Sequence, residues 1–147
     1  NFGNSAILRE KASGQCATTP AGCFDTILSG GTGSLLKNPR DVAEGKDGAL
    51  YVTNAGPSEN TRSDNKILRI VVNGTTGTAS VFSGNTQGYF GDGGPAANAL
   101  LNLEATDFQT STSGTRFDVR VNISILVTPN GEIIFSDSKN NAIRRIR

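Results

Sequence analysis

The segment GEIIFSDSKNNAIRRI, residues 131–146, recurs in partial copies earlier in the chain. An internal repeat constrains architecture before any single residue does. One copy runs Gly48-Ala49-Leu50-Tyr51-Val52-Thr53-Asn54 and resumes, after an interruption, at Asp64-Asn65-Lys66-Ile67-Leu68-Arg69-Ile70. A third echo, Asn4-Ser5-Ala6-Ile7-Leu8-Arg9, stands near the start. Each fuller copy has an apolar run, a polar turn with Asp or Asn, and a second run containing Ile, which predicts two short antiparallel strands joined by a turn.

Composition supports the same class. Eighteen glycines, short apolar runs rich in β-branched residues and no long amphipathic stretch imply an all-β chain. We expect strands at Ala6–Lys11, Phe24–Ser29, Arg40–Glu44, Ala49–Thr53, Lys66–Val72, Thr78–Ser83, Val119–Thr128, Glu132–Ser136 and Ala142–Ile146. Asp47-Gly48, Asn73-Gly74 and Pro129-Asn130-Gly131 supply turn chemistry, and Gly94–Leu100 can form one helical turn behind Pro95. Ala55–Ser63 interrupts one repeat turn, and Ala105–Arg116, rich in Thr and Ser, reads as a long surface loop.

Fourteen basic against thirteen acidic residues leave a formal charge of +1, so no overall field favours nucleic acid or an anionic membrane. No stretch approaches the roughly 20 apolar residues of a membrane-spanning helix. The sequence has no methionine, starts at Asn1 and stops at Arg147 directly after the last repeat pattern. We therefore expect a piece of a longer polypeptide, in which missing targeting segments carry no meaning.

Cys16 and Cys23 enclose a short loop containing Pro20 and Gly22. A disulfide across that loop is the natural reading, with free buried thiols as the alternative. A loop this short would contribute roughly 2–3 kcal/mol by chain entropy, and the bond would place the chain in an oxidising compartment. Metal binding is not expected, because four ligands are needed and the chain has no histidine. Asn73-Gly74-Thr75 and Asn122-Ile123-Ser124 are N-glycosylation sequons. Chance gives about as many in such a composition, but Asn73 sits at a turn, where exposure is expected.

Three stretches, taken together and in order, resemble the NHL repeat, a β-propeller blade family. The first is the glycine-rich linker with Ser83-Gly84 and Gly88-Tyr89-Phe90-Gly91-Asp92-Gly93-Gly94-Pro95-Ala96; the second is Pro129 to Ser138; the third is Asn140-Asn141-Ala142-Ile143-Arg144-Arg145-Ile146. Ser29-Gly30-Gly31-Thr32-Gly33 and Asn38-Pro39-Arg40-Asp41-Val42 match more loosely. The resemblance implies four-stranded antiparallel blades around a channel, with Asp92, Gly93, Gly94, Asp137, Asn141, Ile143 and Arg144 as structural repeat residues. It divides the chain into 1–33, the outer strands of one blade with the cysteine loop; 34–100, a full blade plus linker; and 101–147, a partial next blade with the 105–116 insertion. Ile7, Ile67 and Ile143 fall in equivalent places, 60 and 76 residues apart. Both intervals exceed the roughly 40–50 residues of one blade, and the insertions account for the excess.

About two blades cannot close a ring of four to eight. The missing blades are expected from the remainder of the same chain or from neighbouring subunits. The expected function is a non-catalytic structural or protein-interaction module of a secreted or cell-surface glycoprotein, including a subunit of an assembled surface filament, with no cofactor and no catalytic residue of its own. The alternative is a fragment of a propeller enzyme, a lyase or lactonase-like hydrolase, with its catalytic residues elsewhere, since the carboxylates here show no ligand spacing. RNA-binding members of the family use a basic face. Here strand alternation sends Arg144 and Arg145 to opposite sides.

Overall fold

The computed structural model describes residues 5–12, 15, 20–55, 65–103, 106–110, 116–120 and 123–147. Eleven strands occur in them: β1 (Ala6–Glu10), β2 (Phe24–Ser29), β3 (Pro39–Glu44), β4 (Leu50–Asn54), β5 (Lys66–Asn73), β6 (Thr76–Ser83), β7 (Thr106–Thr110), β8 (Arg116–Arg120), β9 (Ile125–Val127), β10 (Ile133–Asp137) and β11 (Ala142–Ile146). Their pairing is antiparallel throughout. They form the hairpin β1-β2, the four-stranded sheet β3-β4-β5-β6, the hairpin β7-β8 and the three-stranded sheet β11-β10-β9.

Local chemistry explains the turns. Gly48 and Gly131 have φ of 72° and 86° and close equivalent turns, in which Gly48 N–H donates to Gly45 O and Gly131 N–H to Thr128 O. Glycine tolerates that region at no steric cost. Between β5 and β6 the two-residue turn is Gly74-Thr75, with Gly74 at φ 61°, and Asn73 closes it opposite Thr76. A 3-10 turn over Ala96–Asn98 follows Pro95, as expected.

Two expectations are corrected. Within the stretch Ala105–Arg116 expected as a loop, Thr106–Thr110 and Arg116 are strand, since β7 and β8 pair from Thr106↔Arg120 to Thr110↔Arg116. The short alternations Thr-Asp-Phe-Gln-Thr and Arg-Phe-Asp-Val-Arg supply strand periodicity that the surrounding Ser, Thr and Gly conceal. The single strand expected over Val119–Thr128 is therefore two, β8 ending at Arg120 and β9 starting at Ile125. The Ala55–Ser63 interruption, apart from Ala55, lies outside the described residues.

The four-stranded sheet is buried on both faces because its strands are apolar at consecutive positions. Val52, Leu68 and Ile70 face Ile7 and Ile27 of the first hairpin, with Leu36 between them. Ala49, Tyr51 and Ile67 face Ile125, Ile133 and Phe135 of the three-stranded sheet, with Leu101 and Leu103 of the linker filling the seam. Each fully buried side chain of this size contributes roughly 1.5–3 kcal/mol. Tyr51 also meets Phe82 edge-on, ring centroids 5.0 Å apart. Across these seams β2 lies against β6, and β3 against β9.

Strand register makes the repeat concrete. Thr53 pairs with Ile67 in the four-stranded sheet as Ser136 pairs with Ile143 in the three-stranded one. Tyr51, Leu68 and Arg69 thereby correspond to Ile134, Arg144 and Arg145, and Ala43, opposite Tyr51, to Leu126, opposite Ile134. A register shift also recurs, between Ile7 and Leu8 and between Ile67 and Leu68.

Candidate functional site

The densest polar constellation is built on the glycine-rich linker and the β10-β11 hairpin. Asp137 ends β10, and its carboxylate is wholly buried. One oxygen accepts from the backbone N–H of Asn102 at 2.7 Å; the other accepts from Asn140 Nδ2 at 2.9 Å and Arg144 Nη1 at 3.1 Å. The Arg144 side chain is only 9% exposed. Its remaining donors reach the carbonyls of Leu100 at 2.8 Å and Phe90 at 3.0 Å, and Nη2 lies 2.7 Å from Asp92. The guanidinium stands 5.4 Å from the centre of the Tyr89 ring, and Asn140 Nδ2 also donates to Gly88 O.

A planar guanidinium with several fixed donors suits such a role, because it can tie carbonyls and carboxylates of different segments at once. The hydrogen bond to Asp92 raises the Tyr89 hydroxyl above its usual pKa. Gly91 and Gly93 have φ of 96° and 81°, so the linker folds back over Arg144 where a side chain would be strained. Gly94 does not share that conformation. It serves the turn by donating its N–H to Gly91 O.

Asp137 stands next to the 3-10 turn of the hairpin, Ser138–Asn140. Its backbone partner is instead the linker amide of Asn102, 35 residues away. Because only two of these three donors lie in the adjacent hairpin, sequence proximity could not find the third. The corresponding residue in the earlier unit is Asn54, also fully buried, whose Oδ1 accepts from the N–H groups of Lys37 and Asn38. Both units thus end their second strand with a buried acceptor that holds the incoming linker, and alignment of the two repeats is the signal that would have found Asn54.

Other residues reach forward from one sheet to the next. Asp41 Oδ2 accepts from Ile125 N–H at 2.9 Å, and Asn65 Oδ1, 2% exposed, accepts from Leu103 N–H at 2.7 Å. Thr53 Oγ1 holds Asp41 N–H in the same manner as Ser136 Oγ holds Ser124 N–H. The repeat therefore places Ser124 and Asn141 where Asp41 and Asn65 stand.

Those later counterparts lie open. Asn141, in the left-handed region at φ 52°, is exposed, and so is Ser124. Ile143 is 74% exposed and Leu126 50%, while Ile134 is half-buried. In the earlier unit Tyr51 and Ile67 are buried and Ala43 packs against the same cluster. Arg145 and Arg147 both approach Glu132, at 3.7 and 3.2 Å. Arg69 makes the analogous pair with Asp47 at 2.6 Å, and that hydrogen bond holds the Asp47 carboxyl below its usual pKa.

Asn73 is exposed at the β5-β6 turn, and Asn122 lies outside the described residues. Cys23 is disulfide-bonded, and no cysteine is free among the described residues; Cys16 lies outside them. Among the described residues no three His, Cys, Asp or Glu side chains group as metal ligands, and no helix is long and apolar enough to cross a membrane. No protein-family model and no curated protein sequence matches this chain.

Proposed function

We propose that the chain is a run of NHL-type propeller blades in an incomplete ring, acting as a non-catalytic protein-interaction module of a larger extracellular or cell-surface glycoprotein. The observation that carries this reading is the contrast between equivalent positions. Ala43, Tyr51 and Ile67 are covered by the sheet that follows them, whereas Leu126, Ile134 and Ile143 present the same face to solvent. An exposed apolar face with this relation to a buried one is a stacking surface for a further sheet of the same kind. Asn141 and Ser124 would face that sheet as Asn65 and Asp41 face the three-stranded one. Carboxylates and arginines here serve packing and linker attachment, which supports a scaffold in preference to a reaction centre.

Sedimentation velocity tests the stacking surface. The chain is expected to self-associate as its concentration rises to millimolar, and Leu126→Asp or Ile143→Asp to return it to monomer, because a charge placed in the buried seam would be desolvated without a partner. A parent chain that stays monomeric throughout would sink the reading.

The extracellular part of the proposal is supported by the disulfide at Cys23 and the exposed sequon at Asn73. Peptide mapping of protein from its natural source is expected to find glycan on Asn73. An unmodified asparagine there would remove the glycoprotein assignment.

A further inference from the structure

Four steps in the chain join an aspartate or asparagine to a glycine: Asp47-Gly48, Asn73-Gly74, Asp92-Gly93 and Asn130-Gly131. Such a step can react with itself, because the glycine nitrogen lies within reach of the preceding side-chain carbonyl carbon and no Cβ obstructs the approach. Attack requires the nitrogen to give up its proton and the side-chain carbonyl to be electrophilic. The folded structure decides which steps meet both conditions.

Three of the four are guarded. Gly48 N–H donates to Gly45 O at 2.9 Å and Gly131 N–H to Thr128 O at 2.8 Å, so each of these nitrogens is held in a closed turn. That hydrogen bond must break before the nitrogen can turn towards the side chain. At both aspartates the carboxylate is ion-paired, Asp47 Oδ2 with Arg69 at 2.6 Å and Asp92 Oδ1 with Arg144 at 2.7 Å. A carboxylate is a poor electrophile and offers no good leaving group.

Asn73 has neither guard. Its side chain is a neutral amide, and Asn73, Gly74 and Thr75 are all exposed. Among the described residues the Gly74 N–H donates to no other group, and a Cβ on Gly74 would meet nothing within 4 Å. The step forms the tip of the β5-β6 hairpin, where local opening costs less than in the sheet interior.

We propose that Asn73 is a site of spontaneous deamidation. The Gly74 nitrogen attacks Asn73 Cγ, the Cγ–Nδ2 bond breaks, and Nδ2 leaves as ammonia with the proton that Gly74 lost. Water then opens the resulting succinimide at either carbonyl, giving aspartate or isoaspartate. No oxidant, reductant or enzyme is required. The product adds a carboxylate to the hairpin tip, lowers the formal charge of +1 by one and removes the Asn73-Gly74-Thr75 sequon. Isoaspartate also lengthens the backbone beside the Asn73↔Thr76 pair. The change stays at the tip, because Gly77, opposite Val72, is pinned: a Cβ there would come within 2.8 Å of Ile70 Cγ2 and 2.9 Å of Ile27 Cγ2. The inference depends on neither the propeller nor the glycan, although a glycan would occupy the same Nδ2.

The test uses the full chain produced without glycosylation, incubated in mildly alkaline buffer and mapped by peptide mass. Asn73 is expected to deamidate about tenfold faster than Asn130, since only Gly131 has a hydrogen bond to break. In denaturant that bond is gone, and the two rates should converge. The intact chain should accumulate a more acidic form on ion exchange, which Asn73→Ser forms far more slowly. An Asn73 that stays intact, equal rates at the two asparagines in the folded chain, or the same rate ratio folded and denatured overturns the inference. So does an acidic form that Asn73→Ser produces at the parent's rate.

Discussion

Replacing Arg144 with leucine is expected to lower the unfolding free energy by about 3–5 kcal/mol, measured by urea denaturation, because it leaves the Asp137 carboxylate buried without its cation. The carbonyls of Leu100 and Phe90 lose a charged donor in the same substitution. Asp137→Asn leaves the opposite problem, a guanidinium 9% exposed with its buried counter-charge gone. The first repeat unit has already solved the same packing with neutral groups, Asn54 and Leu68. The double variant Asp137→Asn/Arg144→Leu transfers that solution, so its cost is expected to fall below the sum of the singles by about 2 kcal/mol. Singles that simply add would show that the two residues do not act as a unit. Far from being a patch for an anionic partner, Arg144 in this arrangement is committed to the interior.

The second large effect comes from comparing identical residues at equivalent places. Ile67→Ala removes a side chain with no exposure from the seam between two sheets and is expected to cost about 2–5 kcal/mol. Ile143→Ala, at 74% exposure, should change the stability of the monomer by no more than about 0.5 kcal/mol. Its effect should then appear in the concentration dependence of self-association. Equal costs for the two substitutions in dilute monomer would contradict the burial difference on which the stacking face rests.

Gly84 gives the packing a further constraint. Its φ is 83°, and a Cβ there would run into the carbonyl of Asn65 and come within 2.8 Å of Leu101 Cδ1. The linker therefore departs from β6 through a gap that admits only backbone, which explains a glycine at that exact step better than flexibility does.

Much of this was legible from residue pattern. The Ile-containing copies placed Ile67 and Ile143 in equivalent positions, and the hairpin registers agree. Asp-Gly and Asn-Gly pairs marked turns because glycine alone enters the positive-φ region freely. These are local properties, carried by spacing and by single-residue conformational preference. The β7-β8 hairpin was not legible, since five-residue alternations inside a Ser- and Thr-rich stretch are too short to stand out against loop composition.

By itself, then, the sequence determined the repeat, the all-β class and the positions of the tight turns. Tertiary structure decided that Asp137 holds a linker amide, that Arg144 is interior while Arg145 is exposed, and that Ile143 is bare where Ile67 is covered. The physical reason is that burial depends on which sheet lies opposite. Two isoleucines with the same local pattern differ only in whether another sheet packs against them.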